Sequence, residues 1–309
     1  MKDLKKAIFK TLSYADIFNY PLKKDEIYRF LIADKKVSHQ LFNKAFREIK
    51  EERKWVGARG GFYFLKGCEK VFSLREAREG WSRKKLKIAK RVANFLKTIP
   101  TVKMIAVTGA LAMGNSKKED DIDLLVVTEN GRIWATRFLV TILVEAFAKR
   151  RRPKDRNVAD KICLNMFLDE EHLEVPKNER DLFTAHEVVQ LKPLWDRDTT
   201  YQKFLAANQW VKKFLPNAII QIKNKKLKIK ITYQNLKIFD KFCILACHFA
   251  FCILNFAFVE ELLKRFQLYY MKKRRTTEVI SDGVIRFHPR DARVWVLKEY
   301  QKRVDLLAK

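Results

Sequence analysis

At 309 residues, with 48% hydrophobic and 12% aromatic side chains, the chain has apolar material for packed cores and a length suited to about two domains. That composition excludes a disordered basic tail, and 9 glycines with 7 prolines exclude collagen-like and low-complexity architectures. With 65 Lys and Arg against 36 Asp and Glu, the net charge is +29, which predicts attraction to polyanions such as nucleic acid, nucleotide phosphates or an anionic membrane surface.

The first 70 residues carry three helical patterns and a ribbon. Leu4, Ile8, Leu12 and Ile17 mark one helix, and Lys24–Phe30 a second after Pro21. Ser38 is the expected N-cap of a third, bearing Leu41, Phe42, Ala45, Phe46 and Ile49. Trp55-Val56 and Phe62–Leu65 flank the Gly-rich turn Gly57-Ala58-Arg59-Gly60-Gly61 as two short strands. Three helices and a hairpin make a winged-helix-like arrangement over residues 1–70. Its third helix offers His39, Gln40, Asn43, Lys44 and Arg47 either to DNA or to solvent. A basic connecting helix follows over 71–100, with Arg78, Arg83, Lys84, Lys85, Lys87, Lys90 and Arg91 expected on a solvated face. Pro100 ends it.

From Val102 the pattern changes to a mixed α/β unit, residues 101–175. Met104–Val107 is a strand, Thr108–Gly114 a small-residue turn, and Asp121–Thr128 a second strand. A helix over Arg132–Lys149, the basic loop Arg150–Arg156 and a third strand, Lys161–Leu168, complete the unit. Residues 176–309 read as a C-terminal helical bundle with helices over Glu179–Leu191, Thr200–Phe214, Leu236–Met271 and Asp291–Leu307. The fold class expected is therefore α+β. Phe242–Val259, apolar except for His248 and Asn255, reads as a buried core helix, with a membrane segment as the alternative.

The chemistry concentrates at 105–127. A strand runs into a turn where Gly109 and Gly114 permit tight backbone geometry, and the amides beginning the next short helix can face an anion. Asp121 and Asp123, two residues apart on a strand, share a face. Two carboxylates beside a phosphate-binding turn suit Mg²⁺ or Mn²⁺ bridging to a nucleoside triphosphate. A P-loop is excluded because Asn115-Ser116 follows Gly114 where Lys and Ser/Thr are required, and a dinucleotide-binding loop by its glycine spacing.

Thr108-Gly109-Ala110-Leu111-Ala112-Met113-Gly114 followed by Asp121-Ile122-Asp123 resembles the signature of the DNA polymerase β-like nucleotidyltransferase superfamily. The resemblance covers about residues 102–168. It implies transfer of a nucleoside monophosphate from an NTP to an acceptor, with release of pyrophosphate. Carried over, Thr108, Gly109, Ala110, Gly114, Asn115 and Ser116 form the nucleotide-binding loop, and Asp121 and Asp123 hold the metal ions. Ala110 stands where the family usually has Ser or Gly. The family's third acid lies on the later strand, where alternation here gives Lys161, Cys163, Asn165 and Phe167 as the site-facing set. Asp160 at the strand's edge is then the remaining catalytic acid, and Asn165 a metal ligand through its amide oxygen.

Weaker candidates are Glu187 and Lys192 as cleft residues and His186 as a hydrogen-bonded helix residue. A Cys243, Cys247 and His248 metal cluster, and Arg286, His288 and Arg290 as phosphate contacts, complete the set. The alternative to an enzyme is a degenerate nucleotide-sensing regulator that binds DNA or RNA. A third reading is a peripheral membrane protein anchored through Phe242–Val259. Scattered cysteines without a Cys-x-x-Cys pair, and an amphipathic N-terminus in place of a signal segment, lead to the expectation of a cytoplasmic protein.

Overall fold

The computed structural model describes residues 1–52, 55–218, 257–272, 278–287 and 292–308. The chain begins with helix α1 (Lys2–Asp16), strand β1 (Leu22–Lys23), α2 (Lys24–Arg29) and α3 (His39–Glu52), followed by the hairpin β2 (Val56–Arg59) and β3 (Phe62–Leu65). Ser38 caps α3 as expected, its Oγ accepting the Leu41 amide at 3.3 Å. Gly60 and Gly61 turn the hairpin with φ of 57° and 79°. β1 adds to β3, giving the order β1-β3-β2. Ile8, Leu12, Ile27, Leu31, Phe42, Phe46 and Ile49 close a small core between the three helices and this sheet.

The central sheet is mixed, in the order β7-β4-β5-β6-β9-β8. It comprises β4 (Val102–Val107), β5 (Ile122–Thr128), β6 (Ile162–Asp169), β7 (Lys192–Asp196), β8 (Val279–Ile280) and β9 (Val284–Arg286). β4 and β5 are antiparallel, while β5 and β6 are parallel and joined through α6 (Ile133–Phe147). Alternation along β5 sends Ile122, Leu124 and Val126 to one face, where α4 (Val71–Leu96), α6 and α9 (Ala257–Lys272) cover them. Leu125 and Val127 point to the other face, under α7 (Leu182–Gln190), α8 (Thr200–Ala207) and α10 (Ala292–Ala308). Helices on both faces bury both sides of the inner strands, which explains their nearly continuous apolar sequence.

Three expectations are corrected here. The segment after residue 176 does not form a separate helical bundle among the described residues. It contributes β7, β8 and β9 to the sheet, and its helices pack on the two sheet faces. Pro193 stops α7 from continuing into β7 and is tolerated because β7 is an edge strand. Arg78 and Lys85 are not on a solvated face: they are 6% and 1% exposed. Finally, β6 does not alternate strictly. Leu124 pairs with Leu164 and Leu125 with Met166, so Asn165 is the extra residue of a bulge, and Phe167 turns into the core beside Ile162.

Residues 242–256, with Cys243, Cys247, His248 and Cys252, lie outside the described residues, as do His288 and Arg290. Among the described residues no helix is long and apolar enough to cross a membrane.

Candidate active site

The loop leaving β4 is held against β5 by the Thr108 amide, which donates to the Asp123 carbonyl at 3.3 Å. Gly109 then takes a φ of 58° and opens the single-turn helix α5 (Gly109–Ala112). Any larger residue would be strained in this left-handed conformation, and a Cβ there would stand 3.9 Å from Asp123 Oδ2. Gly114, with a φ of 73°, ends the turn. Ala110 is exposed and Thr108 half-buried, so the start of α5 is open to a ligand. First-turn amides have no partner inside a helix, which leaves them available to phosphate oxygens.

Asp121 and Asp123 meet as their spacing on the strand predicts. Cys163, paired with Asp123 across the parallel β5–β6 ladder, joins them, and ligand atoms of the three residues lie within 4.8 Å of one another. Burial, and then the charge of Asp121, pushes the Asp123 carboxyl up to about 6. Burial, followed by the two carboxylates, also raises the Cys163 thiol. Such a cluster destabilises its own negative charge until a cation neutralises it, so the residues fit a divalent metal. Arg151 supplies a positive group at the rim, with Nη1 at 2.6 Å from Asp121 Oδ2 and 4.0 Å from Cys163 Sγ. The Arg151 amide, bonded to the Ile162 carbonyl at 2.8 Å, pins this stretch of the basic loop to the start of β6.

The other sequence candidates separate into those near the cluster and those committed elsewhere. Asp160 is not part of the three-residue group: it has a left-handed φ of 60°, and its Oδ1 accepts from Lys85 Nζ at 2.7 Å. Asn165 is buried at the bulge, two residues past Cys163, and its carbonyl accepts the Phe287 amide at 2.9 Å. Asn115 and Ser116 are buried, with the Asn115 side-chain amide and the Ser116 backbone N–H bonded within the protein. Asn115 Oδ1 accepts from Arg78 Nη1 at 3.0 Å and its Nδ2 donates to the Phe18 carbonyl, while the Ser116 amide donates to Ser82 Oγ. Arg286 is spent on a two-pronged pair with Glu179, both contacts at 2.6 Å.

Glu187 carries more weight than its place in the sequence implied. It sits on α7, half-buried, with its carboxyl pushed up to about 7 by burial and then by the charge of Asp123. Lys192 begins β7 opposite Val107, at the same end of the sheet, and burial together with the charge of Lys90 lowers its ammonium. Only the fold of α7 back over the sheet brings these groups to the end of β4.

Residues 89–241 match the family described as "Nucleotidyltransferase domain". The chain carries a nucleotidyltransferase domain of the DNA polymerase β-like superfamily. No curated protein and no solved structure matches the chain significantly. The matched span holds the whole candidate site of the nucleotidyltransferase domain: the Gly109 turn, Asp121, Asp123, Arg151, Cys163 and Glu187.

Proposed function

We propose that the chain moves a nucleoside monophosphate from an NTP to an acceptor with release of pyrophosphate, using Mg²⁺ or Mn²⁺. The observation that carries this reading is the juxtaposition of Asp121 and Asp123 with the positive-φ turn at Gly109, inside a nucleotidyltransferase domain. Asp121 and Asp123 would hold the cation, which when bound supplies charge neutralisation at the triphosphate. Gly109 lets the triphosphate approach the backbone, and the free amides of the α5 first turn bind its oxygens. Arg151 exchanges Asp121 for a phosphate oxygen, and Lys90 and Lys192 extend the positive field at that end of the sheet. Glu187, within the field of Asp123, takes the acceptor's proton, a role that Asp160 cannot fill while Lys85 holds it.

The acceptor we propose is a polyanion, with nucleic acid as its favoured form. Its support is the exposed polar face of α3, carrying His39, Gln40, Lys44 and Arg47, on an N-terminal module with winged-helix connectivity. The exposed Arg83, Lys84, Lys87, Lys90 and Arg91 of α4 add to it. The test is incubation with labelled NTPs and either metal, following label transfer and pyrophosphate. Asp121→Asn and Asp123→Asn are each expected to reduce transfer by about a thousandfold or more, the scale of losing a group that stabilises transition-state charge. Unchanged transfer in either variant refutes the site. Nucleotide binding without turnover, together with nucleic-acid binding that weakens steeply with salt, favours the sensing regulator instead.

A further inference from the structure

We propose that Cys163 is the third protein ligand of the Asp121–Asp123 cation site and makes that site select a thiophilic divalent ion of the Mn²⁺ to Zn²⁺ series over Mg²⁺; this rests on the reading of those two aspartates as the cation-binding pair. Three observations lead there. The Cys163 sulfur and the two carboxylate oxygens lie within 4.8 Å of one another, and no other Asp, Glu, His or Cys among the described residues joins that group. The ladder register places Cys163 directly opposite Asp123, so the backbone of two paired strands sets the sulfur's position. A positive group already sits against the same atoms, since the Arg151 guanidinium is 2.6 Å from an Asp121 oxygen and 4.0 Å from the sulfur.

The chemistry of the donors then decides the ion. Mg²⁺ binds oxygen in near-ideal octahedral geometry and gains little from a thiolate. Softer ions of the first transition row gain from sulfur, and their affinities rise along the series from Mn²⁺ toward Cu²⁺, with Zn²⁺ also taking sulfur readily. The Asp160 carboxylate is paired with Lys85 and does not belong to the group. On binding, the Cys163 S–H bond is replaced by a sulfur–metal bond and one proton passes to water, with no change in oxidation state.

The test uses the full-length, metal-free protein and two readouts that do not depend on turnover. Titration with Co²⁺ is expected to produce a thiolate-to-metal charge-transfer band that is absent from Cys163→Ser. Alkylation of Cys163 in the unmutated chain, mapped by mass spectrometry, is expected to slow with Zn²⁺ or Co²⁺ but not with Mg²⁺ at the same concentration. Cys163→Asp is expected to lose the band and shift the Co²⁺ to Mg²⁺ affinity ratio toward Mg²⁺ by at least about tenfold. Co²⁺ binding without the band, a band retained in Cys163→Ser, or alkylation indifferent to Zn²⁺ overturns the proposal. If Mg²⁺-supported nucleotide transfer is found alongside any of those results, the cysteine assignment fails and the transferase reading stands. Protection of Cys163 with no transfer under any metal has the reverse meaning.

Discussion

Lys85 shows how far a charged residue can depart from its surface role when its hydrogen bonds are complete. Its ammonium donates to the Lys118 carbonyl at 3.1 Å, the Asp120 carbonyl at 2.6 Å and Asp160 Oδ1 at 2.7 Å. All three of its donors are used, so burial does not leave the charge unpaired. It thereby ties α4 to the loop before Asp121 and to Asp160, two residues before β6. Lys85→Met is expected to cost about 2–4 kcal/mol in urea denaturation, because two carbonyls and a carboxylate lose their donor. His186 is the second case. Its ring stacks on Tyr14 with centroids 3.9 Å apart, Nδ1 lies 3.0 Å from Gln190 Nε2, and burial lowers its pKa to about 3. The folded protein therefore keeps this ring neutral while the unfolded chain protonates it below pH 6.5. Stability from this residue is complete above pH 6.5 and declines as the pH falls toward 3, by about 2 kcal/mol at pH 5. Denaturant midpoints from pH 7 to 5 check this, and His186→Phe, which preserves the stacking, is expected to flatten the decline.

At the scale of elements, local signals located most of the helices and inner strands but not the sheet's edges. The Gly60-Gly61 hairpin, the Ser38 cap and the alternation of β5 are short-range effects that depend on backbone sterics and one hydrogen bond. β7 was hidden because Lys-Pro-Leu-Trp-Asp is too short for a period, and Pro193 marks an edge only once a neighbour is known. The β8–β9 hairpin has an Asp282-Gly283 turn, a legible signal that the surrounding helical pattern masked. Gly283 is also required by packing, since a Cβ there would come within 2.0 Å of His172 Nδ1. Gly283→Ala is expected to displace the hairpin or the ring and to cost about 1–3 kcal/mol in thermal or denaturant unfolding. The β6 bulge is the more consequential surprise. It reverses the alternation after Leu164 and keeps Phe167 out of the site, while leaving Cys163 opposite Asp123.

Across the whole molecule, the N-terminal module is locked to the sheet domain and does not hang from a linker. Arg78 Nη1 donates to the Phe18 carbonyl at 2.9 Å and to Asn115, Tyr20 Oη donates to the Met113 carbonyl at 2.6 Å, and Arg303 pairs with Asp16 at 2.9 Å. The loop that begins with the Gly109 turn is thus fastened at its far end by the first module. Arg78→Ala is expected to weaken NTP binding several-fold by freeing that loop, with a smaller effect on transfer at saturating NTP, measured as a rise in KM exceeding the fall in kcat. The net charge of +29 acts over the same scale. Lys44→Glu with Arg47→Glu is expected to weaken nucleic-acid binding at low salt and to flatten its salt dependence by about two counterions, as measured by titration at several salt concentrations. Equal slopes for both proteins would remove α3 from the interface.

The amino-acid sequence alone determined the apolar strand, the glycine turn and the paired aspartates, because strand alternation and glycine's access to positive φ are properties of a few consecutive residues. It also determined the basic character of the chain. The third member of the cluster, the remote carboxylate and the anchoring of the loop depend on contacts between residues far apart in sequence. Cys163 reaches Asp123 through a parallel ladder and Glu187 through a helix folded across the sheet, while the loop is anchored where Arg78 of α4 bonds Asn115. Only tertiary packing decided these, since burying both faces of the central sheet fixes which distant side chains meet at its end.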